Sequence, residues 1–113
     1  MLDLSSAYDK SSYYVTLDFY DEEGAPVAPV SAAWTLTNGN GAIVNSRDNV
    51  AIASPIGTTT TVSLSGADLA SGSNRAANTR IVTVKATYIS TVTGAAMPLN
   101  KAARFTINAL PGV

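Results

Sequence analysis

The chain has 113 residues and a mass of 11.6 kDa, is 46% hydrophobic and 13% charged, and carries a net charge of -1 with a pI near 5.0. That length suits one domain with one core, and a balanced charge without a basic run argues against nucleic acid as a partner. Cysteine and histidine are both absent, which removes disulfides, thiol chemistry, the commonest general base and any ordinary zinc site.

Met1 to Ser12 is polar, with two serine pairs and a weak Leu2/Leu4 alternation, and reads as an extended arm. Chain ends of this kind fray unless something ties them down, so the arm is expected either to be loose or to dock on a neighbouring subunit. Its residues MLDLSSAYDKSSYYV include Asp3 and Asp9 and offer neither a basic nor an apolar leader region, so no secretory signal is expected. No apolar run approaches the roughly 20 residues that span a bilayer as a helix. With Met1 as the initiating residue, the expectation is a chain made in a cytoplasm and not exported by the usual route.

Tyr13 to Tyr20 is the first clear strand. Tyr13, Val15, Leu17 and Phe19 alternate with Tyr14, Thr16, Asp18 and Tyr20, which places the odd residues on the core face. The acidic turn Asp21-Glu22-Glu23-Gly24 ends it, and Pro26 and Pro29 keep the next segment extended and off any central ladder. Ser31 to Asn45 is the centre of the pattern. Trp34, the single tryptophan, shares a side with Ala32 and Leu36, while Ala33, Thr35 and Thr37 take the other. Asn38-Gly39-Asn40-Gly41 tolerates positive φ and suits a hairpin, with Ala42 to Asn45 returning as the partner strand.

Ser46 to Asn49 forms a polar corner, and Val50 with Ile52 marks a short strand stopped by Pro55 and Gly57. Thr58 to Leu64 is a further strand, favoured by four β-branched threonines and the alternation of Thr60, Val62 and Leu64. Ser65-Gly66-Ala67-Asp68-Leu69 reads as a single helical turn capped by Ser65, with Leu69 pointing to the core. Ala70 to Thr79 has no hydrophobic period and reads as a mobile contact loop. Arg80 to Ser90 is a central strand with Val82, Val84, Ala86 and Tyr88 on one face, and after a loop around Gly94, Leu99 to Asn108 closes the domain.

The domain reading is an extended arm over residues 1–12, a β-sandwich over 13–108 and a short tail over 109–113, where Pro111 and Gly112 stop the sheet. About seven short strands, frequent turn signals, no long helix and one buried tryptophan predict an all-β antiparallel β-sandwich, immunoglobulin-like in topology. A jelly roll or small barrel satisfies the same pattern, because periodicity reports faces of strands and not their order.

No catalytic constellation emerges. The serines stand in pairs or turns such as Leu64-Ser65-Gly66, without a nucleophile elbow, and the Asn38 to Gly41 run lacks the helix that a phosphate loop needs. Asp18, Asp21, Glu22 and Glu23, with Asp48 or Asp68, are the only candidate oxygen ligands for Ca²⁺, at a spacing that fits no loop motif. No catalytic, cofactor or metal residue is assigned. Arg47, Arg75, Arg80 and Arg104 are candidate interface anchors. Charged residues are about half as frequent as the quarter typical of soluble domains, and a weakly polar surface loses little desolvation free energy on packing against neighbours.

SSYYVTLDFYDEEGAPVAPVSAAWTLTNGNGAIVN, TVSLSGADL and RIVTVKATYIS together resemble small Ig-like accessory proteins of tailed-bacteriophage virions, over about residues 11 to 108. The likeness lies in an acidic D-E-x-G turn, a proline-containing link, the W-T-L-T strand with its N-G hairpin, and a late strand ending in an aromatic residue. The resemblance implies a non-enzymatic structural protein of the virion, assembled in the host cytoplasm, most simply a capsid cement or decoration protein that bridges subunits. A neck or tail protein is the neighbouring alternative, and an Ig-like adhesive module for carbohydrate or a host surface is the alternative from another class. Partners are then the major capsid protein or other virion proteins and further copies of the chain, with no nucleic acid, membrane or cofactor. The expected contacts are the arm, the hairpin and the long loop, hence Leu2, Leu4, Tyr8, Asn38, Asn40, Arg75 and Asn78.

Overall fold

The computed structural model describes residues 1–110, so Pro111, Gly112 and Val113 of the expected tail lie outside the described residues. Its strands are β1 (Leu2–Asp3), β2 (Ala7–Tyr8), β3 (Ser12–Asp18), β4 (Ser31–Thr37), β5 (Val50–Ala51), β6 (Thr59–Ser65), β7 (Thr79–Ile89) and β8 (Ala96–Asn108). One sheet runs β1-β8-β7-β4-β5, with β2 also on β8; the other is the pair β3-β6. The two sheets form an all-β sandwich. Its central pairings are antiparallel, and the arm strands β1 and β2 join β8 in parallel.

The period-2 patterns explain the layers. Val15 and Leu17 of β3 and Val62 and Leu64 of β6 are buried against Trp34, Leu36, Val82, Val84, Ala103, Phe105 and Ile107 of the larger sheet. Across the sandwich the Tyr13 ring stacks on Phe105, centroids 4.3 Å apart at 24° between planes. Trp34 lies in the core as expected, with the Arg47 guanidinium 5.9 Å above its ring. The single turn after β6 also forms, as a 3-10 helix over Gly66–Leu69 that buries Leu69.

Three local expectations are corrected. Ala42 to Asn45 does not return as a strand: it makes one bridge, Thr37 to Ile43, and β4 pairs instead with β5. Positive φ at Asn45 (52°) and Ser46 (57°) turns the chain out of extended geometry before a ladder can grow. The arm is extended but not loose: it is paired with β8. Leu4 N–H donates to the Arg104 carbonyl at 2.8 Å, Asp9 N–H to Asn108 at 3.0 Å, and Ala7 is 2% exposed. The last strand begins at Ala96 and includes Pro98. Ser90 N–H bonds the Ala95 carbonyl, so the bonded pairs fall on the even residues of β7, and Pro98 opposite Thr87 turns its missing N–H to the open edge.

Candidate functional site

The hairpin, the long loop and the arm meet at one end of the sandwich. Asn38 shapes the hairpin by accepting the backbone N–H groups of Asn40 (2.9 Å) and Ala42 (3.1 Å) on Oδ1. Gly39 N–H then donates to the Ala76 carbonyl at 2.9 Å, seating the hairpin on the loop. The approach needs glycine, because a Cβ at position 39 would stand 3.0 Å from the Ala76 Cα. Gly39→Ala is expected to push hairpin and loop apart and to lower stability by about 1 kcal/mol, read as a shift of the urea midpoint at constant slope.

The loop over Ala70 to Thr79, expected as a mobile contact segment, is folded by its own hydrogen bonds. Gly72 N–H bonds Asn78 Oδ1 at 2.7 Å, Ala77 N–H bonds Asn74 Oδ1 at 2.9 Å, and Asn78 N–H reaches the Asn74 and Arg75 carbonyls. Beneath it lies Arg80, 4% exposed, whose guanidinium donates to the carbonyls of Asp68 (2.9 Å), Ala70 (2.7 Å), Ala77 (2.7 Å) and Thr79 (3.1 Å). From the arm, the Asp9 carboxylate accepts the Ser71 N–H at 2.9 Å and its hydroxyl at 2.8 Å. Those two bonds from Ser71, with the charge of Lys10, hold the Asp9 carboxyl below the usual carboxylate range against a smaller upward push from burial.

A third support is Asp68, fully buried, which accepts from Asn45 Nδ2 at 2.9 Å, Arg47 Nε at 3.0 Å and Ser65 N–H at 3.1 Å. Burial pushes its carboxyl up, but the bonds from Arg47, Asn45 and Ser65 and the Arg47 charge outweigh burial and hold it low. Arg80 is therefore an internal clamp and not the interface anchor expected, while Arg47 binds Asp68 with 41% of its side chain still exposed.

These supports leave an open groove of about 630 Å³ lined by Asp3 and Leu4 of the arm, Gly39 of the hairpin, Arg75 and Ala76 of the loop, and Ile81, Arg104 and Phe105 of the sheet. Two guanidinium groups border it. Arg104 is held by Asp3, with Nη2 to Oδ1 at 2.7 Å and Nε to Oδ1 at 2.9 Å, both side chains exposed. Arg75 is exposed, and its guanidinium makes no hydrogen bond or ion pair among the described residues. Chemically the groove offers a mixed polar and apolar lining, the Arg104–Asp3 ion pair, and one forked donor, that of Arg75, left for a carboxylate or another planar anion.

Of the expected contact residues, Leu4 and Arg75 line this groove. Leu2 lies in a second groove, of about 520 Å³, with Thr16, Asp18, Tyr20 and Lys101. Tyr8 is 56% exposed on β2, opposite Asn108, and lies outside both. Asn38 and Asn78 are spent on folding their own loops, whereas Asn40 is exposed at the hairpin tip. Arg104, one of the candidate anchors read from the sequence, borders the groove, whereas Asp3 and Ile81 joined the site only through pairing between distant segments, which no spacing rule reveals.

The acidic residues do not converge. Asp18 accepts the Thr59 hydroxyl, Asp21 closes its own turn onto Glu23 and Ala25, and Glu22 binds the Tyr88 hydroxyl and Ser90 Oγ. Those bonds from Tyr88 and Ser90 depress the Glu22 carboxyl, and the bond to Glu22, with burial and the Glu22 charge, raises the Tyr88 phenol. Among the described residues no group of three or more acids stands close enough to hold a metal ion, and no helix is long and apolar enough to cross a membrane. No family model, curated protein or solved structure matches this chain.

Proposed function

We propose that this chain is a non-catalytic structural protein of a bacteriophage virion, a cement or decoration protein with an Ig-like sandwich, which attaches to the capsid lattice through the end that carries the Arg75/Arg104 groove. One observation carries the reading. Three segments far apart in sequence, each rich in small polar residues, are hydrogen-bonded into the rim of one open groove. A rim already bonded into shape lowers the ordering cost of binding, and the Arg75 guanidinium, unpaired among the described residues, suits an acidic residue of a protein partner. The weakly charged surface supports the same reading, since few ions must be desolvated when the rest of the domain lies against a lattice.

The test is co-sedimentation of purified chain with particles of its source phage and with shells stripped of accessory proteins. Saturable binding in many copies per particle is expected. Arg75→Glu is expected to weaken it about tenfold or more, because the charge reversal removes donors that the fold does not use. The melting temperature of this variant should match that of the parent. A chain that stays in the supernatant with both preparations overturns the proposal.

A further inference from the structure

The four sheet edges of this sandwich differ in how they are closed. On the larger sheet, β1 and β2 cover β8 at Ala103–Arg104 and Ile107–Asn108, Pro98 and Lys101 lie in the part they leave open, and β5 is only two residues long with positive φ at the preceding Asn49. On the smaller sheet, the β3 edge carries the bulky Tyr14 and Asp18, and Lys101 Nζ occupies the Asp18 carbonyl at 2.8 Å. Short strands, charges and covering segments are the ordinary means by which sheet edges avoid pairing with other chains.

The β6 edge has none of these. Phe19 N–H bonds the Thr58 carbonyl and Gly66 N–H bonds the Ser11 carbonyl, so in this ladder the odd residues of β3 bond the even residues of β6. The N–H and C=O groups of Thr59, Thr61 and Ser63 consequently point away from β3, and these three residues are exposed. From Thr58 to Ala67 the chain has no charge and no proline. The strand is unbulged over seven paired residues, four of them threonine or valine, the type of edge that accepts another strand.

We propose that β6 is a homodimer interface, in which two copies of this chain join antiparallel about a two-fold axis at Thr61 and merge their β3-β6 pairs into a four-stranded sheet. The second copy is the occupant that the edge fits best. With Thr61 opposite the same residue of the other copy, Thr59 faces Ser63 in both directions, and every outward backbone group in that span finds a partner. No charge opposes its own image across the axis, since Thr58 to Ala67 carries none. Side chains agree as well. On the outer face the Thr16–Thr61 hydroxyl pair, 3.2 Å apart, extends into a row of four threonines, and on the inner face Thr60 meets Val62. A net charge of -1 leaves little long-range repulsion between copies.

The experiment is sedimentation velocity of the full chain from micromolar to millimolar concentration, with Thr61→Lys and Thr61→Glu beside the parent. The parent is expected to show a concentration-dependent dimer. Each variant alone is expected to dissociate about tenfold or more readily, because like charges then face each other across the axis. An equimolar mixture of the two should recover the dimer. Position 61 is exposed and its backbone groups serve no intrachain bond, so dilute variants should melt like dilute parent, which separates lost association from lost folding. A parent that stays monomeric at millimolar concentration overturns the proposal, and so does a dimer that both variants leave unchanged.

Discussion

Arg80→Ala is expected to lower the unfolding free energy by about 3 to 5 kcal/mol, the largest single-residue effect outside the hydrophobic core. The guanidinium is almost wholly enclosed and satisfies four backbone carbonyls, those of Asp68, Ala70, Ala77 and Thr79, from its three nitrogens. Truncation leaves a void and buried carbonyls without donors, and each such acceptor costs about 1 kcal/mol or more. Arg80→Lys is expected to recover only part of the loss. An ammonium keeps the charge but cannot span the directions that the planar fork spans, from the 3-10 turn to the far end of the loop. Urea unfolding measures the total, and hydrogen exchange locates it. The Gly72 and Ala77 amides, now bonded within the loop, should exchange with the solvent-exposed set in Arg80→Ala. A variant that matches the parent in both measurements would mean that the loop holds its shape without Arg80.

The second large effect concerns Asp68 and has a pH signature. Asp68→Ala is expected to cost about 3 kcal/mol near neutral pH, because it removes a buried acceptor shared by Asn45, Arg47 and the Ser65 N–H. The Arg47 side chain is 41% exposed and can turn to water, which keeps the cost toward the lower end for a broken buried pair. The Asp68 carboxyl is held low in the folded chain and titrates normally when unfolded, so between those two values the unfolded chain binds more protons. Its contribution is therefore complete above the ordinary carboxylate range, roughly pH 4 to 5, and is lost as pH falls through the folded value. Asp9 and Glu22 are shifted in the same direction and add to the same acid limb. Melting temperature against pH should thus be flat from pH 8 to about 5 and fall steeply below about 4 in the parent. In Asp68→Asn the fall should be shallower, with the part due to Asp9 and Glu22 remaining. An acid limb of equal steepness in parent and variant would assign the pH dependence to the other carboxylates.

Strand positions and faces were legible in the sequence. Tyr13 to Phe19, Trp34 to Leu36, Val82 to Tyr88 and Ala103 to Ile107 alternate every second residue, and a strand half buried in a sandwich imposes the same period on its side chains. The asparagine and glycine run at positions 38 to 41 was legible for the same local reason: its turn is built from bonds between residues at most four apart. The run of threonines in β6 likewise identified a strand, though not that its outer edge would be left open.

Pairing was decided only by the tertiary structure. The sequence places Ala42 to Asn45 beside β4 by proximity, yet β5 takes that position because left-handed residues at 45 and 46 redirect the chain. The arm reads as a free end, yet β8 offers it outward carbonyls at Arg104 and Asn108, about a hundred residues away in the chain. Arg80 and Asp68 look like surface charges in the sequence, and their roles depend on carbonyls and donors contributed by other segments. The groove has the same origin. Side-chain period is a local property of the backbone and survives in the sequence, whereas the partners of an arm, a loop or a buried ion are set by which distant segments the packed sheets bring together.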